Sequence, residues 1–349
     1  MVTPQSPAPA SDHAPVVFGI GNPLIDVVIQ AQDSDLAALK LDKGIMHLVS
    51  EERQREILDH FGDALRVYRP GGSAPNTMMA LAGLGVPAAI SGKIGDDEFG
   101  RTYDEQVSAY GLVSRLVTGN GMTGSSIILV TPDGERTMNT HLGMCQEFVT
   151  ADLDEAVLGA AQFLYFTGYM WDTESQKAAI LRAIDIAERQ GITVVFDVAD
   201  PFAVERYRDD FRGLLADHVD IVFANEREAA ILFGAADRTQ SLESLGQNVE
   251  IAIMKPVKDG SIVADHVTHT PIPGSPITAT DSTGAGDMFA AGFLAAYAHT
   301  ADAVRAAKAA GHLAEEIIQH VGAQFDVDRI RAIRTDMVAA GLLEERVSI

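Results

Sequence analysis

The chain has 349 residues, 47% of them hydrophobic, and 49 acidic against 26 basic side chains give it a formal net charge of −23. Such acidity argues against nucleic acid and anionic membranes as partners, because their phosphates would be repelled. No apolar run approaches the ~20 residues needed to span a bilayer. Cys145 is the sole cysteine of the sequence, which precludes an intrachain disulfide and favours a reducing cytoplasm.

Residues 1–15 are rich in proline, alanine and serine, and they lack the positive start and apolar stretch of a signal peptide. We expect them to form a disordered extension. The remaining residues, 16–349, are numerous enough to bury a large core.

A β-type run over residues 16–20 leads into the sequence Gly-Ile-Gly of residues 19–21. This pattern does not predict a dinucleotide site, because Pro23 and Asp26 stand where a third glycine and a helix start are expected. Strands over 27–29 and 46–49, and helices over 36–39 and 51–61, are predicted next by periodicity and capping residues.

Residues 71–76, Gly-Gly-Ser-Ala-Pro-Asn, precede a predicted helix over 77–83. The two glycines expose backbone to a ligand. Asn76 either holds that ligand through its amide or caps the helix, and the sequence leaves both interpretations open. A strand over 88–90 and a turn over 92–100 that leads into a helix follow.

Residues 125–131 and 135–141 alternate or run apolar around Pro-Asp-Gly, which predicts a β-hairpin. Arg136 lies just beyond the turn. It is either a solvated surface residue or a clamp for a phosphate on a hairpin that arches over a site.

Beyond residue 152 short apolar strands alternate with helices. This order predicts a parallel sheet covered on both faces, and ligands gather at the carboxyl ends of such strands. The strands are predicted over 163–166, 194–196, 221–224 and 251–254, and the helices over 173–190, 201–216 and 226–232. Side chains expected at that edge belong to Asp197, Asp200, Asn225 and the loop 281–287.

Asn225 and Glu228 are three residues apart, on one face of a helix. They either cap a solvated helix or hold Mg²⁺, which needs only one or two protein oxygens beside its waters.

The loop Asp-Ser-Thr-Gly-Ala-Gly-Asp (residues 281–287) leads into a small, apolar, helical run over 288–298. Gly284, Ala285 and Gly286 lie at its first turn, where unpaired N–H groups and the helix dipole favour an anion. Asp287 either complements that dipole or takes the proton of a hydroxyl that attacks a bound phosphate. Packing helices are expected over 301–321, which contains His312, and over 328–340.

Taken together, GGSAPN (71–76), GKIGDDEFG (92–100), ANEREA (224–229) and DSTGAGD (281–287) resemble motifs of the PfkB, or ribokinase-like, kinases. FGIGNPLIDVV (18–28), DGERTM (133–138) and DVADPF (197–202) are most similar to the adenosine kinases of that family. The resemblance implies an α/β, ribokinase-like three-layer sandwich over residues 16–349. Its central sheet would be mostly parallel, with a small β-sheet lid drawn from about 27–50 and 123–142.

The implied reaction is transfer of the ATP γ-phosphoryl group, with Mg²⁺, to the ribose 5′-hydroxyl of a nucleoside, adenosine first. Asp287 would be the base, Gly284, Ala285 and Gly286 the anion hole, and Arg136 a phosphate clamp on the lid. By the same resemblance the substrate would contact Leu24, Asp26, Gly71, Gly72, Ser73, Asn76, Met138, Tyr169 and Phe202. ATP would contact Asn225, Lys255, Lys258, Gly260, Thr283 and His312, with Mg²⁺ held through water by Asn225 and Glu228.

The loop 255–260 departs from the family pattern, with Lys255 for the usual Thr or Ser and Val257 for the usual Gly. A β-branched residue resists positive φ, so we expect a different loop path, with Lys255 and Lys258 supplying charge for phosphates or with another donor preference. A sugar kinase of the same fold and a non-catalytic nucleoside-binding protein are the alternatives. Tyr169 and Phe202 favour a flat base over a bare sugar. K⁺ dependence and the choice between monomer and homodimer stay open.

Overall fold

The computed structural model describes residues 14–257 and 260–345 of the chain. Within those ranges no helix is long and apolar enough to cross a lipid bilayer. Most of the predicted N-terminal extension, and Lys258 of the unusual loop, lie outside the described residues.

A nine-stranded sheet lies at the centre, in the order β14-β13-β12-β11-β10-β9-β1-β5-β6. The seven strands from β12 to β6 run parallel, and β13 and β14 add an antiparallel edge. The strands are β1 (Val17–Ile20), β2 (Leu24–Gln30), β3 (Met46–Leu48), β4 (Val67–Gly71), β5 (Ala88–Gly95), β6 (Val113–Gly119), β7 (Gly124–Val130), β8 (Arg136–His141), β9 (Phe163–Thr167), β10 (Thr193–Asp197), β11 (Ile221–Ala224), β12 (Ile251–Val257), β13 (Gly260–Ala264) and β14 (His269–Ile272).

Helices cover both faces of this sheet, because successive side chains of a buried strand point to opposite sides. On β9, Phe163 and Tyr165 join one core, while Leu164 and Phe166 join the other. The helices are α1 (Asp33–Leu39), α2 (Glu51–Phe61), α3 (Ser73–Gly83), α4 (Glu98–Ala109), α5 (Glu155–Leu158), α6 (Glu174–Gln190), α7 (Pro201–Asp217), α8 (Glu226–Phe233), α9 (Arg238–Asn248), α10 (Ala285–Thr300), α11 (Ala303–Ile317) and α12 (Val327–Ala339). The predicted three-layer α/β sandwich is confirmed.

A second, five-stranded sheet forms the lid, in the order β3-β8-β7-β2-β4. The four lid strands expected from the sequence are present, and β4 adds a fifth by antiparallel pairing with β2. Alternation along β8 turns Arg136, Met138 and Thr140 toward the cavity beneath the lid, while Thr137 and Asn139 are buried.

Two local predictions were wrong. The turn expected over 92–100 begins only after Gly95, because β5 continues as a strand paired with β6. A side chain at Gly95 would meet the Gly121 carbonyl oxygen at 2.2 Å, so this glycine serves strand packing rather than a turn.

Helix α3 begins at Ser73 rather than near residue 77, with Gly72 as its N-cap at φ +96°. Pro75 is tolerated because the N–H it lacks would have no partner in the first turn. Asn76 therefore lies within the helix, and the alternative that it caps the helix was wrong.

Candidate active site

A cavity of about 620 Å³ lies between the lid sheet and the carboxyl ends of the central strands. The lid contributes residues of β2, β3, β7 and β8 to its walls. Asp197 at the end of β10, Lys255 of β12 and the loop 279–287 form its other side. The expected convergence of chemistry-bearing residues on this edge is therefore present for Asp197 and the 281–287 loop.

Asp287, in the first turn of α10, is fixed by helix α3. Ser73 Oγ donates to Asp287 Oδ1 at 2.6 Å, and Asn76 Nδ2 donates to Oδ2 at 2.8 Å. Burial raises the pKa of Asp287 to about 7, although these two hydrogen bonds favour the ionised form and lower it. A carboxylate that titrates near neutrality is suited to accept a proton.

The turn before α10 is closed by Gly284, which adopts φ +77° and is the N-cap of the helix. A side chain there would meet the Ala323 carbonyl oxygen at 2.5 Å. Ala285 N donates to Ser282 O at 3.3 Å, and first-turn N–H groups of a helix otherwise lack helical partners. Gly284, Gly286 and Thr283 line the cavity, so this helix end borders the space beside Asp287.

Arg136 reaches from β8 to the same loop. Its Nη2 lies 2.5 Å from Asp281 Oδ2, and both side chains are about nine-tenths buried (10% and 7% exposed). Asp281 also accepts from the N–H groups of Thr283 and Gly322, at 3.0 and 2.8 Å. The lid cation is therefore held beside the helix N-terminus.

Asp26 of β2 lies on the cavity wall, and no donor among the described residues forms a hydrogen bond with it. Burial raises its pKa to about 7, with Arg136 and Arg69 lowering it and Asp287 raising it. A side chain at Gly71 would lie 2.5 Å from the Asp26 carboxyl, so that glycine makes room for the acid. A carboxylate with free oxygens facing a cavity suits a pair of hydroxyl groups.

A group of apolar side chains forms one wall of the cavity beneath the lid. Leu24 and Met138 contribute to it as expected, together with Met46, Ile128 and Leu142. Tyr169 also lines the cavity, and burial raises the pKa of its hydroxyl well above the usual value. This wall fits a flat apolar group better than a charged one.

Asn225 and Glu228 form a closed capping box at the start of α8. Each backbone N–H donates to the other side chain at 2.8 Å, and Asn225 Nδ2 donates to Glu228 Oε1 at 2.6 Å. Glu228 is 1% exposed, and neither residue lines the cavity. These oxygens do not fit direct metal ligation. No group of three His, Cys, Asp or Glu suited to a metal occurs in residues 14–257 and 260–345. The predicted contact through water remains a prediction.

Five other predicted contacts are not part of the lining: Gly71, Ala285, Phe202, His312 and Gly260. Gly71 lies behind Asp26, and the Ala285 N–H is directed to Ser282 O. Phe202 is 43% exposed, and the Arg206 guanidinium stacks on its ring at 4.3 Å. His312 lies in α11, and Gly260 begins β13 with φ +98° beside Gly274. None of the five lies against the cavity.

Sequence reasoning missed Gln324 and Asp172. Gln324 Nε2 donates to Pro70 O at 2.7 Å and to Asn76 Oδ1, which orients the amide that holds Asp287. Its position in a segment after a helix gave no signal of this. Asp172 lines the cavity shortly after β9, and the carboxyl-end rule applied to that strand would have found it.

Comparison with known proteins agrees with this geometry. Residues 61–330 match the pfkB family carbohydrate kinases. The chain belongs to this family. Its ribokinase-like fold and the recognition of its motifs are thereby confirmed, and this pfkB kinase is a phosphotransferase.

Individual relatives of this pfkB kinase differ in substrate. An ATP-dependent ribose-1-phosphate kinase of Halopiger xanaduensis is 34% identical over 68% of this chain and 76% of its own. An adenosine kinase of Dictyostelium discoideum is 27% identical over 87% and 94%. The crystal structure of adenosine kinase from Sinorhizobium meliloti superposes with a TM-score of 0.86 at 34% identity, covering 93% of this chain and all (100%) of that one.

Proposed function

We propose that this protein is an ATP-dependent nucleoside kinase that phosphorylates the ribose 5′-hydroxyl, with adenosine as its preferred acceptor. The observation that carries the proposal is the set of residues that line one cavity. Asp287 lies beside the N-terminus of α10, the free carboxyl of Asp26 faces the same space, and an apolar wall completes it.

In the proposed reaction the 5′-hydroxyl lies between Asp287 and the helix N-terminus. The ionised carboxylate takes the hydroxyl proton while the oxygen bonds to the γ-phosphorus, and the bond from that phosphorus to the β,γ-bridging oxygen breaks to release ADP. The N–H groups of Gly284 and Gly286, which line the cavity, and the guanidinium of Arg136 stabilise the charge on the transferring group. Mg²⁺ enters as part of the MgATP substrate, and the protein's own residues position and desolvate the reactants.

Asp26 and Asn76 are proposed to hold the ribose hydroxyls, with Gly72 leaving room for the ring and Gly71 leaving room for the Asp26 carboxyl. Asp26 has no competing donor among the described residues, so diol binding costs it no existing hydrogen bond. Leu24, Met138 and Tyr169 would pack against the base.

Charge separates a nucleoside from ribose 1-phosphate as the acceptor. The cavity is lined by two cations, Arg136 and Lys255, against seven carboxyl groups: Asp26, Asp133, Glu135, Asp172, Asp197, Asp281 and Asp287. Both cations lie beside the α10 N-terminus, where the transferring phosphoryl belongs. A second phosphate on the ribose C1 atom would face the apolar wall unpaired, at a high desolvation cost.

A substrate panel tests this proposal. We expect MgATP-dependent phosphorylation with the highest kcat/KM for adenosine among adenosine, inosine, guanosine, cytidine, ribose and ribose 1-phosphate. Asp287→Asn, nearly identical in shape, should abolish turnover while nucleoside binding persists. A higher kcat/KM for ribose 1-phosphate would overturn the choice of acceptor, and nucleoside binding by wild type without turnover would favour the non-catalytic alternative.

A further inference from the structure

Lys255, on β12, occupies an unusual position for a lysine. Its Nζ lies 2.7 Å from Asp197 Oδ1 and 3.7 Å from Glu228 Oε2, and the side chain is 9% exposed. The residue lines the cavity, so its small exposed fraction faces the ligand space. A buried lysine with two carboxylates is either a neutralising partner for them or a cation held ready for something else.

The ammonium group borders the N-terminus of α10. A methyl group at Gly286 would lie 3.5 Å from Lys255 Nζ, in ordinary van der Waals contact. Glycine at this position therefore keeps open the gap between the ammonium and the helix end. That gap opens on the cavity, which Lys255, Gly286 and Asp287 all line, so an oxygen atom of a ligand can approach the ammonium and the helix end together.

The lysine keeps its charge in this position. Burial alone would lower its pKa, but the carboxylates of Asp197 and Glu228 outweigh burial and raise it above the usual value. Asp197 accepts one of three ammonium N–H groups, which leaves donors for a further acceptor. A charged donor whose geometry is fixed before the reaction costs little reorganisation during it.

We propose that Lys255 is a catalytic residue whose ammonium contacts an oxygen of the transferring γ-phosphoryl group, opposite the amides of the α10 N-terminus. The proposal rests on the phosphoryl-transfer chemistry of the proposed function but not on the identity of its acceptor. Lys255 gains and loses no proton; it balances negative charge as the phosphorus passes from the ADP oxygen to the acceptor oxygen. Asp197 and Glu228 are its positioning residues.

The capping box at the start of α8 leaves this role to the lysine. Neither Asn225 nor Glu228 lines the cavity, whereas Lys255 does, so the fixed positive charge at this point of the cavity comes from Lys255. Lys255 thus places a permanent cation where the family pattern has a neutral Thr or Ser. The effect of this difference on kcat can be measured.

Steady-state kinetics of Lys255→Met and Lys255→Arg test the contact. We expect kcat to fall about 100- to 1,000-fold in Lys255→Met, as for loss of an oxyanion donor, with the nucleoside KM within a few-fold of wild type. Lys255→Arg should recover part of the loss. The matched control is Lys93→Met, which removes another shielded lysine–aspartate pair (Lys93–Asp152, 2.9 Å) that does not line the cavity. Wild-type kcat in Lys255→Met would overturn the proposal.

A double variant separates catalysis from charge neutralisation. In Lys255→Met/Asp197→Asn, residue 197 is a neutral asparagine that needs no cation beside it. The double variant should therefore fold even where Lys255→Met alone does not. If the lysine merely neutralises Asp197, the double variant regains the activity of Asp197→Asn alone, and the proposal fails. If the ammonium contacts the phosphoryl group, the double variant stays as slow as Lys255→Met.

Calorimetry of nucleotide binding needs no acceptor. With Mg²⁺ present, wild type should bind the β,γ-imido analogue of ATP about tenfold or more tightly than ADP, and Lys255→Met should lose that preference. An unchanged preference in Lys255→Met would overturn the proposal. Should wild type show this preference and yet phosphorylate no nucleoside, the acceptor assignment fails while the lysine contact stands.

Discussion

Arg136 of the lid and Asp281 of the loop before α10 form an ion pair of 2.5 Å that is almost entirely shielded from solvent. The pair joins the hairpin strand β8 to the segment that carries Gly284 and Gly286. Lid position and anion-site geometry are therefore coupled through one contact, and the same guanidinium lies beside the proposed phosphate position.

Arg136→Gln should lower kcat/KM for ATP about 10- to 100-fold, because the variant loses a phosphate donor and the lid contact together. Initial-rate measurements at varied ATP check this. Arg101→Gln is the control, since Arg101 is exposed and its contact with Asp96 is long, 3.7 Å. Equal kcat/KM for Arg136→Gln and Arg101→Gln would contradict a role for the lid arginine.

The pH dependence of kcat/KM should report Asp287. The base must be ionised, and burial raises its pKa to about 7, so activity should fall about tenfold per pH unit below neutrality. Ser73→Ala removes a hydrogen bond that favours the ionised form. The acidic limb should then move about one unit to higher pH.

Rate profiles from pH 5 to 9 for wild type and Ser73→Ala measure this shift. Ser114→Ala serves as the matched control, because Ser114 also donates to an aspartate, Asp104, but lines no part of the cavity. A limb that moves to lower pH in Ser73→Ala would refute the proposed arrangement.

Much of this architecture was predictable because it depends on local pattern. Strands such as β11 and helices such as α2 follow from apolar periodicity and capping residues, and both ends of α2 agree with the prediction. The edge strand β4 was not predicted, because its pairing partner β2 is distant in sequence. Strands β13 and β14 were also not predicted, although each pairs with the strand that precedes it in the chain.

The site was predictable only where chemistry and strand order coincide. Gly284 and Asp287 lie at the N-cap and in the first turn of a helix that follows a glycine-containing loop, a pattern that indicates an anion site. Lys255 of β12 contacts Asp197 at the end of β10 and Glu228 of α8. These contacts depend on neighbouring strands of the sheet and cannot be read from one stretch of sequence. Gln324 acts on Asn76 across 248 residues of sequence, a relationship that no local window contains.

Asp26→Asn should stabilise the protein near pH 8 and impair nucleoside binding. The carboxyl ionises near pH 4 when unfolded but only near pH 7 when folded. The unfolded state therefore loses its proton first as pH rises, and stability contributed at low pH is lost between about pH 4 and 7. Because the cavity admits water, we expect a gain of about 1–3 kcal/mol in the free energy of unfolding, less than the full shift implies.

Denaturant unfolding at pH 4 and pH 8 compares Asp26→Asn with wild type. The difference should be small at pH 4 and appear at pH 8, with nucleoside KM raised about 100-fold. Asp63→Asn, at an exposed position, controls for the loss of one surface charge. An Asp26→Asn variant less stable than wild type at pH 8 would mean that the carboxylate is satisfied in the folded protein.

Gly284→Ala should abolish turnover, because this position combines φ +77° with a contact of 2.5 Å between the new methyl group and the Ala323 carbonyl oxygen. The loop must move to relieve both, and the amides it presents move with it, which we expect to cost at least 100-fold in kcat. Gly311→Ala is a matched control on helix α11. Nothing lies within 4 Å of its added methyl group, and alanine should stabilise that helix by about 0.5–1 kcal/mol. We therefore expect Gly284→Ala to be inactive. Gly311→Ala should keep the kcat of wild type and have a slightly higher melting temperature. Comparable activity in both would mean that the turn tolerates a side chain and that the helix end is not held in a catalytic geometry.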